Sequence, residues 1–248
     1  MRAQAVAAMA RLPLRRFGVF NTSIARQFRL KAPIINAGMA FVAGPELAAA
    51  VANAGGLGML GGAMVPAPGL RTMIQATRAM TEKAFGVDLI GDFVDDGHID
   101  VLIEEQVPVV VFFWSAPTAA QVRRLEAGGV SFWMQVGSVD EAKAGGDLGA
   151  TALIVQGSEA GGHNRSQATL AVLFSAVRGG VPAAPLIAAG GIADGAGMAA
   201  ALLRGADAVW CGTRFLASRE ADAHDGYKAR VLAAGVGDTK LTSVFGPE

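Results

Sequence analysis

From Lys31 onward, short apolar runs rich in β-branched residues alternate with Ala-rich helical stretches, and nothing else in the chain constrains its fold as strongly. Strand candidates fall at 33–37, 58–61, 84–89, 108–113, 131–135, 152–156, 185–189 and 208–212. Helical windows separate them at 45–53, 68–80, 99–105, 118–127, 138–148, 169–177 and 195–204, with a last helix expected at 227–232. Strict βαβα alternation implies a parallel sheet. The strands also read as unbroken apolar runs, as in Val109-Val110-Val111-Phe112-Phe113, which suits a sheet covered on both faces. Eight such units in 248 residues match the roughly 250 residues of one (β/α)8 barrel. The expected fold class is therefore α/β, a TIM-type (β/α)8 barrel in a single domain with a short C-terminal extension. A doubly wound open sheet is the alternative, because periodicity does not determine closure.

Composition narrows the classes of function. With 21 basic and 21 acidic residues the net charge is zero, so no positive field is available to collect nucleic acid or anionic lipid. Apolar runs are punctuated by charge or glycine well short of a membrane span. Cys211 is the only cysteine, which excludes an internal disulfide and a multi-cysteine metal site, and cytoplasm is the expected compartment. Arg2, Arg11, Arg15, Arg16, Arg26, Arg29 and Lys31 all precede the first acid, Glu46. We read 1–30 as a mobile leader and entry segment before a barrel at 31–248; an organelle transit peptide is the rival reading. The Ala-rich helices and Trp114, Trp133 and Trp210 are assigned to core packing, with a homo-oligomer contact as the alternative use.

Glycines gather where the strands end. Gly190-Gly191 after the seventh strand and Gly212-Thr213 after the eighth occupy the two loops that usually make a barrel's phosphate site. Without a Cβ the backbone approaches a ligand closely, and clustered N–H groups stabilise an anion. After the sixth strand, Gln156-Gly157-Ser158-Glu159-Ala160-Gly161-Gly162-His163 ends on a histidine, whose ordinary pKa near 6.5 suits reversible proton transfer. His163 is the candidate base, while His98 and His224 lie in Asp-containing polar stretches and are expected to be solvated. Glu104-Glu105, Asp95-Asp96 and Glu220 with Asp222 read as exposed faces, and no metal site is indicated. Gly55-Gly56-Leu57-Gly58 follows a helix rather than a strand, which rules out a dinucleotide fingerprint.

PIINAGMA at 33–40, AAVANAGGLG at 49–58, FGVD at 85–88, ALIVQGSEAGGH at 152–163, AAGGIADG at 188–195 and GTRFL at 212–216 together resemble the nitronate monooxygenase (2-nitropropane dioxygenase) family, related to flavin-dependent enoyl-acyl-carrier-protein reductases. The resemblance implies an FMN-containing barrel with His163 as base. It places Ala37, Gly38 and Met39 against the flavin ring, and Asp88, Gln135 and Gln156 at its polar edge or ribityl chain. Gly161 and Gly162 would lie close to the cofactor; Gly190, Gly191, Gly212 and Thr213 would hold the phosphate; Ser158 would orient the substrate. The family commonly has asparagine at the position of Asp88 and often a basic residue at that of Gln135; both departures disfavour an anionic reduced flavin. Members also run further at the C-terminus, which implies a more open pocket here or one closed by a partner subunit. The implied reaction is oxidation of alkyl nitronates or nitroalkanes by O2. Two alternatives stay open: reduction of an enoyl thioester or quinone by NAD(P)H through FMN, and a flavin-binding protein without turnover.

Overall fold

A computed structural model describes residues 20–235 and 237–244 of the chain. Most of the expected leader therefore lies outside the described residues. In chain order the elements are α1 (Ser23–Gln27), β1 (Ile34–Asn36), α2 (Pro45–Ala54), β2 (Gly58–Gly61), α3 (Ala67–Met80), β3 (Phe85–Ile90), α4 (Asp96–Glu104), β4 (Val109–Phe113), α5 (Ala119–Ala127), β5 (Ser131–Val136), α6 (Val139–Asp147), β6 (Ala152–Gln156), α7 (Leu170–Gly180), β7 (Leu186–Ala189), α8 (Gly195–Leu203), β8 (Ala208–Cys211), α9 (Thr213–Leu216) and α10 (Asp225–Ala233). All eight expected strands are present and parallel, in the order β1-β8-β7-β6-β5-β4-β3-β2. The sheet closes on itself, and the seam decides barrel over open sheet.

That seam, β1 against β2, holds a single backbone bridge, Ile35 to Leu57. Asn36 completes it. Fully buried, it donates from Nδ2 to the Met59 carbonyl at 2.8 Å and accepts the Met59 amide on Oδ1 at 2.9 Å, standing in for a missing ladder rung. Close packing of α2 onto β2 depends on Gly58, where a Cβ would lie 2.0 Å from the Ala48 carbonyl oxygen.

Side chains from every other strand position fill the barrel. Ile35, Leu57, Met59, Val109, Val111, Trp133, Ala152, Ile154, Ile187, Ala189, Ala208 and Trp210 form one buried cluster inside it, and the helix–strand layer outside divides into further apolar clusters. Burial of this scale, at about 25 cal/mol per Å² of apolar surface, is the main favourable term for the fold. α1 belongs to the same inner cluster: Ile24 is buried, Phe28 meets Trp133 edge-on at 5.6 Å, and Ser23 Oγ donates to Asp207 Oδ1 at 2.7 Å. It plugs the end of the barrel where the strands begin, and leaves the opposite end as the mouth.

Candidate active site

Inward-facing positions at the mouth follow from the two-residue period of a strand. Trp133 and Ile154 point inside, so Gln135 and Gln156, two residues on, do too. Gly86 lies against Met59 and Val109 of the inner cluster, which places Asp88 on the inner face of β3. The three polar side chains expected near one ligand therefore ring the mouth.

Asp88 has the most perturbed environment. The Gly38 amide donates to its carboxylate, and a Cβ on Gly38 would lie only 2.1 Å from the Asp88 Cβ, so the loop after β1 presses backbone onto the side chain. The residue keeps some accessible surface at the mouth, yet its carboxyl is enclosed by protein. Removal from water pushes its pKa well above the usual carboxylate range, and the Gly38 hydrogen bond opposes this only partly.

The loop after β6 folds across the mouth. Gln156 Nε2 donates to the His163 carbonyl at 3.1 Å, and Asn164 Nδ2 to the Gly157 carbonyl at 3.1 Å. The His163 ring meets Trp114, directly beyond β4, at 4.7 Å between centroids with planes at 84°. In the opposite direction the loop leans on the glycine turns: a Cβ on Gly161 would stand 3.3 Å from Thr213 Oγ1, and one on Gly191 would stand 3.1 Å from the Glu159 Cβ. The loops after β6, β7 and β8 thus share one wall of the mouth. Gly212 belongs to the same wall, since a Cβ there would lie 3.7 Å from both Ala37 Cβ and Met39 Sδ.

Four backbone donors on this wall are uncommitted. Among the described residues the amides of Gly191, Ile192, Thr213 and Arg214 make no hydrogen bond. Asp194 caps α8 by accepting the Gly197 amide at 2.8 Å, which commits one donor of the helix's first turn. Gly190 (φ +118°) and Gly191 (φ +67°) hold that turn in a conformation unfavourable to residues with a Cβ. Ser158 is exposed, with its amide bonded to the Ala168 carbonyl, which leaves only the hydroxyl for a ligand.

Two residues depart from their sequence assignments. His98 is buried, not solvated: Nε2 lies 2.9 Å from the Val65 carbonyl, Nδ1 lies 2.7 Å from Asp95, and the pair forms a capping box at the start of α4. An Asp three residues before the histidine was the available signal, read as polarity when it is a helix cap. Trp114, expected in core packing with Trp133 and Trp210, is half-buried at the mouth, and only those two are in the inner cluster. Its place directly after a strand was the missed cue. Cys211, at the end of β8, faces the helix layer; burial lifts its thiol to about 11, too high for a nucleophile at neutral pH.

This arrangement is matched by a family model described as nitronate monooxygenase, over residues 21–96 and 91–248. The chain belongs to the nitronate monooxygenase family. That is a family of flavin-dependent oxidoreductases. The chain is 40% identical over 223 residues to (3aS,4S,5R,7aS)-5-hydroxy-7a-methyl-1-oxo-octahydro-1H-indene-4-carboxyl-CoA dehydrogenase of Rhodococcus jostii, covering 90% of this chain and 62% of that protein's length. Among solved structures, FabK from Thermotoga maritima superposes with a TM-score of 0.83 at 41% identity, over 90% of this chain and 71% of that one. Nitroalkane oxidase from Streptomyces ansochromogenes gives 0.77 at 33% identity, over 83% and 71%. No helix among the described residues is long and apolar enough to cross a membrane.

Proposed function

We propose that this family member oxidises alkyl nitronates or nitroalkanes with O2, giving a carbonyl compound and nitrite, and that FMN is its flavin. The observation that carries the reading is the meeting, at one end of the barrel, of a histidine ring and a glycine wall whose amides are unspent. That wall suits a phosphomonoester: Gly190, Gly191, Gly212 and Thr213 would hold it through backbone N–H groups where no side chain intervenes. Ala37, Gly38 and Met39 would lie against the ring system, with Gly161 and Gly162 close by and Asp88, Gln135 and Gln156 supplying polar contacts. Bound there, the isoalloxazine supplies the acceptor for two electrons. A neutral Asp88 would behave toward it much as the asparagine common in the family, because a protonated carboxyl carries no charge and can donate.

His163 would take the α-proton of a neutral nitroalkane, and the Ser158 hydroxyl would orient the nitro group. Purified protein should therefore be yellow and release nitrite from a nitroalkane in air. A colourless protein that takes up no FMN would overturn the reading. So would a yellow one that turns over no nitronate.

A second reading is favoured by one observation each from sequence and structure. The relative at 40% identity is named for a carboxyl-CoA substrate. In this chain, too, Phe41, Met64 and Phe93 stand exposed in the loops beyond β1, β2 and β3, an apolar margin suited to a large acyl group. Under this reading NAD(P)H reduces the flavin, an enoyl thioester or a quinone takes the electrons, and His163 serves as the proton-transfer group. Anaerobic bleaching of the yellow colour by NADH or NADPH, with no nitrite formed from nitroalkanes in air, would select it. A flavin-binding protein without turnover would do neither.

A further inference from the structure

A base is ordinarily oriented by a third group that hydrogen-bonds its far side. Among the described residues the His163 imidazole has no such bond; its loop is anchored through the backbone carbonyl, by Gln156. Both ring nitrogens are therefore available to exchange a proton, and the contact that fixes the ring is the indole of Trp114. Trp114 is itself held in an unusual way. Its φ of +68° is in the left-handed region, a genuine outlier for so bulky a residue, which surrounding contacts must hold in place. Its Nε1 is buried without a hydrogen-bond partner among the described residues, so no polar contact of the side chain sets its position.

The restraint comes from the backbone. Arg165 Nη1 donates to the Trp114 carbonyl at 2.8 Å, and Nη2 of the same guanidinium lies 3.4 Å from Glu141 Oε1. Glu141 Oε2 accepts the Gly137 amide at 2.7 Å, just past the end of β5. The Phe113 ring packs beside the indole at 5.2 Å between centroids, with planes tilted by 30°. One strap thus joins the mouths of β4, β5 and β6 and ends on the imidazole.

We infer that Trp114 is a positioning residue for His163, taking the place of a hydrogen-bonding orienter, and that the Glu141–Arg165 pair holds the tryptophan backbone for that task. The inference rests on His163 being the proton-transfer group. Its test uses the full chain loaded with FMN, kinetics with a nitroalkane, and NMR of the histidine ring resonances, assigned through His163→Asn. Trp114→Ala should lower kcat about 10–100-fold, the scale of a misplaced reacting group, with KM changed by less than about threefold. In the same variant the His163 resonances should move to those of a mobile, solvated imidazole. Trp114→Phe, which keeps an aromatic ring there, should restore kcat to within about threefold, and Arg165→Gln should fall between the two.

Unmoved His163 resonances in Trp114→Ala overturn the inference, as does unchanged kcat or a failure of phenylalanine to rescue. If Trp114→Ala does not fold, Trp114→Phe and Arg165→Gln decide by the same two readouts. Wild-type turnover in His163→Asn would instead remove the base assignment, and the resonances would still report whether the contact exists.

Discussion

The two sides of the barrel mouth adopt the same rare backbone conformation with opposite chemistry. On the β6–β8 side, positive φ falls on Gly162, Gly190 and Gly191; on the β1–β4 side it falls on Phe41, Met64 and Trp114. Glycine tolerates that region at no steric cost, whereas each bulky residue there carries strain. The difference teaches what each wall presents. On the glycine side, backbone N–H groups would face the proposed phosphate, and a side chain there would be in the way. On the other side the strained positions carry a ring or a thioether: Trp114 meets His163, and Phe41 and Met64 stand exposed.

The largest effect that can break this contrast is at the junction of the two walls. His163→Asn should keep bound flavin and lower nitroalkane turnover by about 10²–10⁴-fold, the usual worth of a general base; measuring kcat beside the visible spectrum separates loss of chemistry from loss of cofactor. Next, a side chain at Gly191 should both strain the turn and crowd Glu159. Gly191→Val should weaken FMN binding at least about tenfold, as read by flavin fluorescence, because shifted amides no longer converge on one anion. Retained affinity would show that these amides are not the phosphate site.

A seam substitution comes third. Asn36→Leu removes both partners of Met59 and should cost about 2–3 kcal/mol in urea unfolding. Asp88→Asn supplies a pH test. A carboxyl whose folded pKa is raised keeps its proton while the unfolded chain loses it, so stability falls as pH rises above the unfolded value near 4 and toward the folded one. The asparagine variant should match wild type below about pH 4 and exceed it increasingly as pH rises toward the folded value, levelling off beyond it, by thermal melts; equal curves at all pH would place Asp88 in water. Smallest is Met64→Gly, expected to change stability by about 1 kcal/mol or less in the favourable direction, where Gly191→Ala is unfavourable by a similar amount. The same sign for both would erase the comparison.

Much of this was legible in the chain. Strands and long helices were readable because their patterns are local: apolar runs alternate with Ala-rich windows, and in the structure Pro45 stands in the first turn of α2 and Thr118 and Ser138 cap α5 and α6. Short α1 and α9 were not, since five and four residues show too little periodicity to be seen. His98 was misjudged because a cap and a solvated acid look alike until the carbonyl of Val65 arrives from another unit. Trp114 was misjudged because apolar character says that a side chain is buried but not by what.

The sequence by itself determined the eightfold alternation, the glycine turns after β6, β7 and β8, and the resemblance to one family, all properties of neighbours along the chain. Only the tertiary structure decided that Asn36 closes the seam, that Gly38 presses on Asp88, and that an imidazole on one loop leans on an indole from another. Those contacts join residues far apart in sequence, and their geometry exists only once strand register and barrel closure have brought the loops to the same end.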